Sequence, residues 1–138
     1  MTLAQRLWIY QTERFPLAKT VPLLACFSAA SITLSAVLSD RPLPGISAYI
    51  IGFLLVFILF FQLRVADEVK DGEDDAKYRP ERPIPRGLVT FRLIVSLGVM
   101  TIPFGIILAL LHGAGLIWLL LLTWAWLTAM TFEFGVPA

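Results

Sequence analysis

Long apolar stretches fill most of the chain, separated by short turns and by one long polar interruption. Residues 20–38, 46–63, 93–111 and 114–131 contain no charged side chain. Each is close to the ~20 residues a helix needs to cross hydrocarbon. Inside a bilayer the backbone must satisfy its own hydrogen bonds, so a crossing segment of this kind is helical. The short alternation of polar and apolar positions that marks a membrane barrel strand is missing. The pattern predicts an all-α polytopic membrane bundle of about four transmembrane helices, forming a single domain over residues 1–138. The helices are expected near 20–38, 46–71, 93–111 and 114–131, with a charged segment over 64–92. Pro22 is placed in the first turn of the first span, where a missing N–H is tolerated. Ser31, Ser35 and Ser39, four residues apart, suit close packing between helices. Residues 3–15 read as a short interfacial helix, with Leu3, Leu7 and Tyr10 on one face and Arg6 and Arg14 reaching lipid phosphates.

Composition supports this. Hydrophobic residues are 58% of the 138 and charged residues 15%, against about 45–50% and 25% in soluble domains. The net charge of +1 gives no reason to expect nucleic acid. The single cysteine, Cys26, excludes an intrachain disulfide.

The distribution of charge says more than its sum. Three basic residues (Arg6, Arg14, Lys19) precede the first span, and Arg41 alone lies in the first loop. Seven lie between residues 64 and 92, and none in the turn at His112. Basic residues mark the cytoplasmic side. The N-terminus and the charged segment are therefore expected inside, in a protein of the cell (inner) membrane.

The charged segment over 64–92, whose central string is QLRVADEVKDGEDDAKYRPERPIPRG, holds 14 of the 21 charged residues. Nothing breaks the second helix until Gly72, so Arg64, Asp67 and Asp71 share one face at i, i+3 and i+7. Two carboxylates one turn apart suit Mg²⁺, which keeps several waters and takes phosphate oxygens. An adjacent guanidinium grips phosphate with two N–H groups. Lys70, Lys77, Arg79, Arg82 and Arg86 add positive charge. Tyr78 to Gly87 alternates proline with charge and reads as a stiff, extended strap, with Thr90 as N-cap of the third helix. A solvated loop that only orients the protein remains the alternative.

These strings resemble the first aspartate motif of the UbiA superfamily of intramembrane prenyltransferases. That pattern is Asn-Asp-x-x-Asp-x-x-x-Asp at the end of the second helix, followed by an Arg-Pro-Leu-Pro-Ser-Gly-like string. Asp67 and Asp71 match the last two aspartates, and Arg82 to Gly87 matches the second string. Leu63 and Arg64 stand where the family has Asn and its first Asp. The resemblance covers nearly all of this chain and about half of a family fold, whose second aspartate motif would lie beyond Ala138. It implies a Mg²⁺-dependent transferase that moves an isoprenyl group from a prenyl diphosphate to a lipophilic, often aromatic, acceptor. Asp67 and Asp71 would be the catalytic metal ligands, and Arg64, Lys70, Arg79 and Arg82 would contact the diphosphate. Half a metal site implies a truncated chain, pairing with a complementary half or with itself as a homo-oligomer, or binding without turnover. The alternative is a non-catalytic four-helix scaffold or lipid-binding subunit. A small transporter fits less well, because the spans lack the buried charge such sites carry.

Overall fold

The computed structural model describes residues 1–136, and all regular structure among them is helical. The order is α1 (Leu3–Arg14), α2 (Leu17–Leu38), α3 (Ile46–Lys70), α4 (Gly72–Tyr78), α5 (Phe91–His112) and α6 (Gly115–Thr131), closed by a 3₁₀ turn at Glu133–Gly135. Helices α2, α3 and α5 are long and apolar enough to span a membrane. Helix α6 is apolar but has 17 residues, the short end of what crosses. The chain is thus an all-α membrane helix bundle.

Helix α3 is the axis, with α2, α5 and α6 all packed on it. Two glycines set the closest approaches. A Cβ on Gly98 of α5 would lie 3.0 Å from Val65, and one on Gly52 of α3 would lie 2.6 Å from the end of Ile32. A larger residue at Gly98 would press on the stiff Val65 side chain and loosen α3 against α5, whereas at Gly52 the end of Ile32 would have to shift. Helix α2 starts at Leu17, earlier than the apolar run, because Pro16 caps it. Pro22 therefore lies inside the helix, where it removes one backbone hydrogen bond.

One polar tie crosses the apolar interior. Gln62 of α3 is buried. It donates to the Thr101 hydroxyl of α5 at 2.8 Å and accepts from the Trp124 indole of α6 at 2.8 Å. Trp124 is therefore inward-facing, whereas Trp118 and Trp126 are exposed. Hydrogen bonds of this kind between membrane helices contribute about 0.6–2 kcal/mol. Gln62→Leu strands both partners, and a fall in thermal stability of about 1–2 kcal/mol in detergent is expected. An unchanged unfolding midpoint would contradict the tie.

Helix α1 starts with a Thr2–Gln5 capping box and packs against the charged end of the bundle. Leu7 and Tyr10 meet Val65, Val89 and Ile94 there, while Trp8 points outward. The expected helix is present, but Arg14 turns inward rather than to lipid.

Candidate functional site

The charged segment begins where α3 ends. Asp71 is both the C-cap of α3 and the residue before α4, with φ −90° and ψ 1°. Its N–H bonds the Asp67 carbonyl at 2.8 Å, and its own carbonyl accepts from Asp75 at 2.8 Å. The helical path is therefore carried across Gly72 with a change of direction.

Beyond α4, the proline-rich string folds into consecutive tight turns rather than an extended strap. Arg82 N–H bonds Arg79 O, Arg86 N–H bonds Arg82 O, and Gly87 N–H bonds Ile84 O, each at 3.0 Å. Pro80 and Pro85 occupy the second position of their turns, where a fixed φ near −65° is favourable. Gly87, at φ 77°, takes the left-handed geometry that ends the last turn. Thr90 caps α5 through Leu93 N–H at 3.2 Å.

The acidic residues divide into two sets. Glu68 and Asp75 are buried. Glu68 accepts from Arg14 Nε at 2.6 Å and from the Tyr10 hydroxyl at 3.3 Å. Asp75 is gripped by Arg82, with Arg79 3.8 Å away. Burial lowers the Arg14 pKa, but the hydrogen bond and charge of Glu68 outweigh it, and the net shift is upward. Burial first, then the Glu68 charge, pushes the Tyr10 phenol above its ordinary range. A further pair, Arg86 to Glu13 at 2.8 Å, ties the turns to α1.

Asp67 and Asp71 stay out of these buried pairs. Both are partly exposed, and Asp67 meets only Arg64, at 3.2 Å. The Arg64 Nε is buried and has no partner among the described residues, an unusual condition for a buried donor. Lys70 reaches Glu133 at 3.0 Å across the end of the bundle. That pair is exposed and screened by solvent, so it opens readily. Of the four basic residues singled out from the sequence, Arg79 and Arg82 are occupied by Asp75, Lys70 is loosely held, and Arg64 alone keeps a buried donor unmet.

Glu68 and Asp75 were not among the residues the sequence pointed to. Their signal was present: Phe57, Phe61 and Glu68 lie on one face of α3, and Phe15 packs edge-on against both rings. A carboxylate in line with an aromatic stripe lies under a covering element.

Among the described residues no group of three or more His, Cys, Asp or Glu is placed to hold a metal. Asp67 and Asp71 still fit a hard cation that keeps water and takes further oxygens from a phosphate, since neither is used up by a buried pair.

The structure defines an all-α membrane helix bundle with a carboxylate- and arginine-rich end. The UbiA prenyltransferase family model matches residues 28–134, and the chain belongs to that family. It is 32% identical over 80 residues to a digeranylgeranylglyceryl phosphate synthase of Pyrococcus horikoshii. That match covers 58% of this chain and 29% of the relative, so the chain spans less than a third of the curated relative it matches. No solved structure matches.

Proposed function

We propose that this chain provides the diphosphate-binding part of a UbiA-type prenyltransferase, which moves an isoprenyl group from its diphosphate to a lipophilic acceptor. The observation that carries this reading is the division of carboxylates. Two are buried in structural ion pairs, while Asp67 and Asp71 remain open beside an arginine with an unmet donor. The basic residues around the charged end favour the cytoplasmic side for it.

Mg²⁺ bound there would neutralise charge on the departing diphosphate. Asp67 and Asp71 hold the cation side. Arg64 directs Nε and its free Nη toward a phosphate oxygen, and Lys70 exchanges Glu133 for phosphate. Arg79 and Arg82 hold Asp75 and shape the turns, with their outer N–H groups adding positive potential. Fixed cations of this kind are most effective where water is excluded and charge develops. The apolar bundle surrounds the isoprenyl tail and keeps water from the allylic cation that forms as diphosphate leaves. A complementary half or second copy would supply the remaining ligands of a full metal site.

Removal of Arg64 tests this. Arg64→Ala in membranes is expected to weaken prenyl diphosphate binding about tenfold or more, the usual result of losing a charge-assisted hydrogen bond. Arg64→Lys restores only part of it, because a point charge replaces a two-pronged donor. Equal affinity in all three proteins would remove Arg64 from the site. A scaffold reading predicts that equality.

A further inference from the structure

At the end of the bundle away from the charged segment, α2 and α6 pack on α3 rather than closely on each other. They leave a cavity of about 590 Å³ between them, within the ~300–1,000 Å³ typical of small-ligand sites. Its polar groups gather at one end. Ser35 and Ser39 come from α2, Arg41 from the first loop and His112 from the end of α5. The rest of the wall is apolar apart from Ser31 and Thr123, whose hydroxyls bond their own helices, and includes the buried Leu55 and Leu120. The serines expected to pack helix against helix line this cavity instead. The close α2–α3 approach is made by Ile32 against Gly52.

The polar groups at this end are exposed and keep hydrogen-bonding capacity for a ligand. Ser31 donates to the Phe27 carbonyl at 2.8 Å. Ser35 and Ser39 make no such bond among the described residues. Arg41 pairs with no carboxylate among the described residues. Its neighbour Asp40 is exposed and does not line the cavity. Pro42 and Pro44 stiffen the rim that carries Arg41. A permanent cation, an imidazole and two free hydroxyls at the mouth of an apolar slot match an amphiphile with an anionic head and a hydrocarbon tail.

We infer that this cavity binds an anionic phospholipid, with its acyl chain between α2 and α6 and its phosphate at Arg41, His112, Ser35 and Ser39. The guanidinium donates to phosphate oxygens and the serine hydroxyls complete the cradle. The chain lies along Leu55 and Leu120, where burial of each methylene is favourable. This site is separate from Asp67 and Asp71, so its fate is independent of the prenyltransferase reading.

The test is native mass spectrometry of the chain released from nanodiscs of equimolar phosphatidylglycerol and phosphatidylcholine. Retention of one lipid per chain, enriched in phosphatidylglycerol, is expected. Arg41→Ala/His112→Ala should reduce that enrichment about tenfold. Ala48→Leu keeps both cations but fills the slot, and should lose the lipid whatever its headgroup. Retained lipid that mirrors the nanodisc composition overturns the inference. So does enrichment that survives the double substitution, or a lipid-free dimer that buries the slot against a second copy.

Discussion

Arg14→Ala is expected to destabilise the charged end by about 3–5 kcal/mol, the cost of removing one partner from a buried ion pair. The Glu68 carboxylate is almost fully enclosed, with its side chain 5% exposed and that of Arg14 12% exposed. Without the guanidinium, only the Tyr10 hydroxyl at 3.3 Å would remain to Glu68, and an uncompensated charge would sit under α1. The helix should peel away, exposing Tyr10 and the Val65–Ile94 cluster beneath it. Thermal unfolding in detergent, followed by protease access to residues 1–16, reads both effects. Arg14→Met/Glu68→Leu should recover much of the loss, since an apolar pair of similar volume replaces a buried ion pair at little cost. An Arg14→Ala protein as stable and protected as the original would mean that the clasp does not hold α1.

Asp67→Ala/Asp71→Ala is expected to do the opposite: little change in stability and a large loss of ligand affinity. Both side chains are partly exposed, and the Arg64–Asp67 contact, with the two side chains 33% and 44% exposed, contributes little on its own. Removing both carboxylates would, however, take away the two proposed ligands at the end of α3. Mg²⁺-dependent affinity for a prenyl diphosphate should fall by about 100-fold or more, at or beyond the top of the about 10–100-fold that loss of a mere supporting group brings. Asp75→Ala is the contrasting control. It strands Arg82 in a buried site and should unfold the turns, so its loss of binding would come with loss of stability. Binding unchanged by the double substitution would move the site elsewhere.

The helices were legible because a bilayer imposes so strict a length and polarity on what crosses it. The end of α3 was legible too, since no residue before Gly72 opposes helix. Two features were not. The proline string suggested extended chain because the residue before each proline avoids the helical region. Yet Pro80 and Pro85 also fit the second position of a turn, and hydrogen bonds reaching past them decided the matter. The division of acids into buried and open sets depends on which face of α3 lies under α1. A helix wheel places Glu68 beside the aromatic stripe, but only the docking of Phe15, Tyr10 and Arg14 shows that the stripe is covered. The spacing of Asp67 and Asp71 suggests the proposed site, and the part proposed for Arg64 rests on its buried Nε, which has no partner among the described residues.

The most direct measurement is binding of a prenyl diphosphate to the purified chain in nanodiscs, with and without Mg²⁺, beside the Asp67→Ala/Asp71→Ala protein. Binding that requires Mg²⁺ and disappears in the double variant, with the variant still folded, is the predicted result. Binding that is absent, or indifferent to both metal and substitution, would contradict a diphosphate site at this end of α3.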